Sequence, residues 1–398
     1  MARQIACGID IGTSHVKVVI AEIASDHIAP KIIGTGFCES KGLHHGYITH
    51  QQEVTHSIEE AVRQAEKMAN MPIRRAFVSV GGIGLSSITT SGSAIVSRAD
   101  LEITPLDLDK AQEAAETAIP HAVALNKKII NTIPVEYKAD GKVVWGRVNG
   151  LKAQKVEMKV LFIMCLDHHL QDLIKAVEEA GIEVIDVVAA PIAASFVTLS
   201  KKQKKAGCVL ANIGSETTSL VVFENANPIS LEVFPIGGTD ITNDIALGLK
   251  IHLEEAESIK LGAVTNATYS KKKLDEIVSA RLSDMFELIE GHLKKINRNA
   301  LLPAGIILTG GSAGVNSIKS FAESYLKLPS EVATIHFGVA DKLKASDSVW
   351  SVAYGLAILG FNAEDERKSI GLRGVEKMAE KGKRGIKALF DWISQFLP

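Results

Sequence analysis

The sequence predicts a two-lobed α/β fold in which one strand–turn–strand–strand–helix unit occurs twice. An α+β segment is inserted in the first copy and a helical cap in the second. Three observations predict it. Residues 11–22 (IGTSHVKVVIAE) and 213–224 (IGSETTSLVVFE) align over twelve positions without a gap. Each follows a short apolar run, 4–10 or 207–212, and precedes another, 31–38 or 228–234, so strands flank a polar turn both times. Over residues 270–299 the pattern changes. Leu274, Ile277, Val278, Leu282, Met285, Phe286, Ile289, Leu293 and Ile296 recur at three-and-four spacing, which predicts one long helix.

Bulk properties narrow the function. A chain of 398 residues is expected to divide into several subdomains. Lys and Arg total 44 against 46 Asp and Glu, a net charge of -2, which excludes a global bias toward nucleic acid. The four cysteines, Cys7, Cys38, Cys165 and Cys208, form no CxxC pair, and three lie in apolar runs; they read as buried thiols of a reducing compartment. The N-terminal MARQIACGID lacks the apolar stretch of a signal peptide, and no run reaches the roughly 18 apolar residues of a membrane span. A cytoplasmic protein is expected.

The repeated turns carry the candidate chemistry. Gly12 and Gly214 let the chain reverse tightly and gather backbone N–H groups, while Thr13, Ser14 and Ser215 add hydroxyls. One such turn is an ordinary hairpin; two facing each other would clamp a polyphosphate. A third turn ends the apolar run IILTGGS, where Gly310 and Gly311 would let backbone approach a flat ligand before Ser312. Glu257 and Lys260 lie one helical turn apart and share a face.

With these residues in order, the chain resembles the superfamily of actin, sugar kinases and heat-shock chaperones. Within it the chain is similar to the FtsA family of bacterial cell-division proteins. Nearly the whole length carries the likeness: GIDIGTSHVKVVIAE (8–22), KGLHHGYI (41–48), HHLQDLIKAVEEAGIEVIDVVAAPIAAS (168–195), IGGTDITNDIA (236–246) and AESIK (256–260). The resemblance implies an actin-like fold that binds ATP with Mg2+. Asp10 would face the metal and phosphates through water. Gly12, Thr13 and Ser14 would form the first phosphate loop, and Asn212, Gly214, Ser215, Glu216 and Thr217 the second. Gly237 and Gly238 fall in a matching motif; Glu257 and Lys260 would grip the ribose and adenine side; Gly310, Gly311 and Ser312 would pack on the nucleoside. Three departures argue against fast hydrolysis: Asn212 stands where an aspartate is usual, Glu216 where glycine is frequent, and Ala190 where the chaperone branch has a glutamate before the proline. A carboxylate beside phosphates costs free energy unless a cation compensates, so Glu216 is expected to turn to solvent. No base is identified to position an attacking water; Asp167 reads as a helix N-cap.

The implied subdomains are a first core (1–82 with 160–194 and 345–361), an insert (83–159), a second core (195–238 with 305–344), a cap (239–304), a linker (362–383) and a terminal helix (384–398). The insert is expected to hold strands over 85–90, 92–96, 128–135 and 143–148, and a helix capped by Thr104 with Pro105 at its first position. It would contact other division proteins or the next subunit of a filament. On the cap, Lys294, Lys295 and Arg298 would receive the acidic C-terminal tail of the tubulin-like FtsZ. At the terminus, Ile386, Leu389, Phe390, Ile393, Phe396 and Leu397 share one face and Trp392 flanks it. Preceded by Lys377, Lys381, Lys383 and Arg384, this segment is expected to lie on an anionic membrane surface. The resemblance thus implies a polymerising, membrane-bound tether for FtsZ. A small-molecule kinase and a pilus-assembly relative of the same superfamily remain open.

Overall fold

The computed structural model describes residues 4–23, 30–263, 269–335 and 345–369; the membrane-facing segment expected over 384–398 lies outside them. The first lobe opens with β1 (Gln4–Ile11), β2 (His15–Ile23) and β3 (Lys31–Glu39) in an antiparallel meander. A small hairpin, β4 (Leu43–His44) and β5 (Tyr47–Ile48), leads into helix α1 (Gln51–Ala69) and strand β6 (Arg75–Val80), which lies parallel to β1.

The insert follows: β7 (Ser86–Ile95), α2 (Pro105–Thr117), α3 (His121–Ala124), β8 (Lys127–Ala139), β9 (Lys142–Val144) and β10 (Lys155–Leu166). Its sheet has the order β7-β10-β8-β9. Two sequence expectations change here. The two strands expected over 85–96 are one, β7. Gly92 does not break it; a Cβ there would lie 2.1 Å from the Ala111 carbonyl oxygen, so glycine is what lets α2 pack directly on the strand. The apolar run 160–165 does not return to the core sheet. It continues β10, paired with β7 and β8 from Lys155 onward, so the inserted sheet reaches Leu166 rather than residue 159. The run is apolar on both faces because it serves two cores. Val156, Met158, Val160 and Phe162 pack inside the insert, while Leu161, Ile163 and Cys165 face the first lobe. Thr104 caps α2 as expected, with Asp107 accepting from its backbone N–H at 2.9 Å.

Helix α4 (Asp167–Glu179) and strand β11 (Glu183–Ala189) complete the first sheet, order β3-β2-β1-β6-β11. Leu166 occupies the N-cap and Asp167 the first helical turn, where its carboxylate accepts from Gln171. Helices α5 (Ala190–Thr198) and α6 (Lys201–Ala206) lead to the second lobe: β12 (Cys208–Ile213), β13 (Thr218–Glu224), β14 (Asn227–Phe234), α7 (Gly238–Leu249), α8 (Leu253–Lys260), α9 (Lys271–Lys295), β15 (Ile306–Thr309), α10 (Ile318–Leu326) and β16 (Ser330–Val332). The second sheet has the order β14-β13-β12-β15-β16. In both sheets the first three strands are antiparallel and the outer two run parallel to the first. The duplication read from the turns is therefore a duplication of topology. The last helix, α11 (Ser351–Ser369), packs on β1 and α5 and runs eight residues past Phe361, so 362–369 is helix rather than linker. Among the described residues, no helix is long and apolar enough to cross a membrane.

All four cysteines are free. Burial pushes the Cys7, Cys165 and Cys208 thiols up to about 12. Helix α9 is held to β14 by a buried pair, Ser230 Oγ and His292 Nε2, 2.9 Å apart. Burial, and secondarily the charge of Lys295, lowers His292 from the ordinary 6.5 to about 4. The native state thus refuses a proton that the unfolded chain accepts, and stability falls as pH drops from about 6.5 to about 4. In a pH series followed by NMR, the His292 ring signals should stay neutral at pH 5, while replacement by Gln should flatten the loss of stability over this interval.

Candidate functional site

The two repeated turns are built alike. In the first, the Gly12 N–H donates to the His15 carbonyl at 3.2 Å; in the second, the Gly214 N–H donates to the Thr217 carbonyl at 2.8 Å. A Cβ on either glycine would lie 3.1 Å from that same carbonyl oxygen. Each turn sits at the carboxyl end of the central strand of its sheet, β1 or β12.

Asp10 lies one residue before the end of β1, beside the first turn, and is buried. Its Oδ1 accepts from Ser79 Oγ at 2.8 Å, and its Oδ2 pairs with Lys17 Nζ at 3.3 Å. Ser79 Oγ also accepts from the Ile11 N–H, so β6 fixes the carboxylate. Lys17 and Ser79 were not among the sequence candidates. Lys17 was readable in principle, because a turn centred after Gly12 places residue 17 opposite residue 10. Ser79 shows only as the single hydroxyl in an apolar strand. The arrangement is an anchored carboxylate and a cation beside a glycine turn, a donor set that suits a hydrated dication and a phosphate.

The second turn is tied to the cap. Its Gly214 and Ser215 carbonyls accept from the N–H groups of Gly238 (2.9 Å) and Thr239 (2.7 Å), at the start of α7. The approach is close enough that a Cβ on Gly237 would fall 2.4 Å from the Ser215 oxygen. The third turn joins the same point, since Ser312 Oγ donates to the Gly214 carbonyl at 3.1 Å. Ser312 is buried, with its hydroxyl donated to that carbonyl. Gly311 is the exposed member of that turn, with nothing nearer to a Cβ position than Val349 Cγ1 at 3.9 Å. Gly310 adopts φ +92° and packs against the Asn212 side chain.

Glu257 and Lys260 share a face of α8 and form an ion pair at 2.6 Å. Lys260 Nζ also donates to the Gly238 carbonyl (3.1 Å) and Thr242 Oγ1 (2.9 Å). All three ammonium protons are used inside the protein, so Lys260 ties α8 to the start of α7, whose Gly238 N–H bonds the second turn. Glu257 is the more exposed partner.

Glu216 does not turn to solvent. Its Oε2 accepts the backbone N–H of His45 at 2.5 Å and lies 3.3 Å from His44 Nδ1. The His45 Nδ1 in turn lies 3.1 Å from the Glu216 carbonyl oxygen. The second turn is therefore bonded to the β4–β5 hairpin of the first lobe.

The three cap cations do not form one free basic patch. Lys294 pairs with Glu290 at 2.9 Å and Arg298 with Glu224 at 2.7 Å. Lys294 and Lys295 line a groove of about 840 Å³ whose floor and walls include Phe234, Leu288, His292 and the carboxylates of Glu232, Asp284 and Glu287.

A family model for the cell division protein FtsA matches residues 209–355. The chain is 32% identical over 362 residues to the cell division protein FtsA of Bacillus subtilis, covering 85% of this chain and 81% of that one. It is 26% identical over 410 residues to the FtsA of Pseudomonas aeruginosa, covering 97% and 96%. Among solved structures, the PilM-PilN type IV pilus biogenesis complex matches with TM-score 0.64 at 18% identity, over 89% of this chain and 98% of that one. MreB 5 of Spiroplasma citri bound to AMPPNP matches with TM-score 0.54 at 12% identity, over 92% and 99%. The structural matches establish the actin-like fold, and the sequence matches the family: this chain belongs to the FtsA family of bacterial cell-division proteins.

Proposed function

We propose that this chain binds ATP with Mg2+ between its two glycine turns, polymerises, and tethers FtsZ filaments to an anionic membrane surface. The observation that carries the nucleotide reading is the identical internal hydrogen bond of the two turns, each at the end of a central strand. Asp10, steadied by Ser79 and Lys17, would hold the hydrated metal. Gly12, Thr13 and Ser14 would offer the first set of donors, and Gly214, Ser215 and Thr217 the second. Exposed Gly311 would take the flat face of the nucleoside, with Glu257 beside the ribose. Bound Mg2+ would neutralise phosphate charge; the protein's own part is to orient the phosphates and draw the lobes together. Asn212 and Ala190 supply no carboxylate where hydrolysing relatives carry one, which supports a conformational switch with slow turnover.

The tether reading rests on family membership and on the terminal amphipathic segment. Residues 384–398 are too few to span a bilayer and long enough to lie in its interface. Each basic residue near an anionic leaflet adds about 1 kcal/mol. One helix would bind reversibly, and a filament bearing many would bind by avidity. Family membership suggests the FtsZ tail as a partner; in the groove between α9 and β14, Glu232, Asp284, Glu287 and Glu290 outnumber Lys294 and Lys295, so apolar Phe234 and Leu288 would have to supply much of the grip on an acidic peptide.

Asp10→Asn should weaken Mg2+-dependent ATP binding by about tenfold or more, the equivalent of about 1.4 kcal/mol, in a fluorescent-nucleotide titration; unchanged affinity would remove Asp10 from the site. Truncation after Gly382 should abolish pelleting with anionic liposomes and leave ATP binding intact, whereas equal pelleting refutes the terminal anchor. Lys294→Glu with Lys295→Glu should abolish binding of an FtsZ tail peptide in an anisotropy assay, and retained binding sends the peptide elsewhere.

A further inference from the structure

The contact between Glu216 and the β4–β5 hairpin has the composition of a metal site. One nitrogen from each of His44 and His45 and one carboxylate oxygen of Glu216 lie within 4.8 Å of one another. The backbone presets this cluster. His45 takes φ +48° in a turn bounded by Gly42 and Gly46, and Gly46 is packed against Gly82, so both imidazoles are carried on a fixed hairpin. The tautomer of His45 is set as well. Its Nδ1 faces a backbone carbonyl, which can only accept, so Nδ1 carries the proton and Nε2 keeps its lone pair. A ring nitrogen held by a carbonyl leaves the other as the metal-binding atom, the usual outer support of a metal-bound histidine. The His44 Nδ1–Glu216 Oε2 separation of 3.3 Å is close to the ~3.4 Å edge of a tetrahedron with metal bonds of about 2.05 Å.

We propose that His44, His45 and Glu216 form a three-ligand site for a transition-metal dication of the zinc class, clamping the second turn to the first lobe. Imidazole with a single carboxylate selects zinc over magnesium, which prefers oxygen and water. Three protein ligands leave the fourth position open. The site also accounts for Glu216: among the described residues its one ion-pair partner is His44, so without a cation its charge rests on that imidazole and a backbone N–H. The two histidines come from residues 44–45 and the carboxylate from residue 216, so a bound ion joins segments that belong to different lobes.

The proposal stands apart from the ATP reading, and its test omits nucleotide. Zn2+ is titrated into the full-length, nucleotide-free protein by calorimetry, with Co2+ absorption as a second probe of four-coordination. One site of micromolar affinity and an intense visible Co2+ band are expected. His44→Gln and Glu216→Gln should each weaken that site at least tenfold. Glu216→Gln keeps an oxygen to accept the His45 N–H, and His44 is largely exposed, so both variants should fold, with circular dichroism as the check. In the wild type, Zn2+ should slow amide exchange at residues 43–48 and 214–218 together. No binding by the wild type, equal binding by both variants, or protection of only one of these segments overturns the site.

Discussion

The carbonyl oxygen of Gly214 is the point at which the second lobe is held together. It accepts the Gly238 N–H that starts the cap and the Ser312 hydroxyl that ends the third glycine turn. Three segments far apart in sequence converge on this one acceptor. The carbonyl of Gly238 then accepts a hydrogen bond from Lys260, and Lys260 reaches Glu257 and Thr242. A buried ammonium is costly unless all its protons find acceptors, and here they do. The second turn, the cap helices and the third turn are therefore one hydrogen-bonded unit. Moving any of them leaves a buried donor or acceptor unmet, at a cost of about 1–3 kcal/mol per group.

The first turn is organised differently. Its carboxylate is held by a hydroxyl from the adjacent parallel strand and a lysine from the opposing antiparallel one. A Cβ at Gly12 would again sit 3.1 Å from the carbonyl that closes the turn, but the surrounding network is shorter and charged. The duplication thus preserved the backbone of the turn and the order of the strands, while the side chains around it diverged. Asp10 and Asn212 occupy corresponding places before the two turns, one paired with Lys17 and the other resting on Gly310.

That divergence explains what was legible in the sequence. Backbone features were readable because they constrain residue type locally: the paired turns through Gly12 and Gly214, the Thr104 cap, and the long cap helix through its three-and-four spacing. Glu257 and Lys260 were readable as a pair for the same reason. The partners of the polar groups were not. Glu216 meets His45 across 171 residues, and no local pattern encodes such a contact. Ser312 was expected to pack on the nucleoside, and its bond to the Gly214 carbonyl across 98 residues has no local signal either. The β10 run was misassigned because being apolar on both faces signals burial without saying which layers bury it. One face lies against the first lobe and the other inside the insert, which only the pairing with β7 and β8 reveals.

The insert adds a further mechanical link. It is covalently part of the first lobe, between β6 and α4, yet Ser87 Oγ accepts the Leu231 N–H at 2.7 Å and donates to the Leu231 carbonyl at 2.9 Å on β14 of the second lobe. Asn227 Nδ2 adds a bond to the Val135 carbonyl at 3.3 Å. The lobes are thus joined at the His45–Glu216 contact and again through the insert, as well as by the α5 connection. A ligand that changed the separation of the two turns would have to strain or break the Ser87–Leu231 pair or carry the insert with the second lobe. Because β7 and β10 are paired from Ser86 to Ile95, the Ser87 contact is continuous with the whole inserted sheet, and the second lobe is fastened to that sheet rather than to a loop.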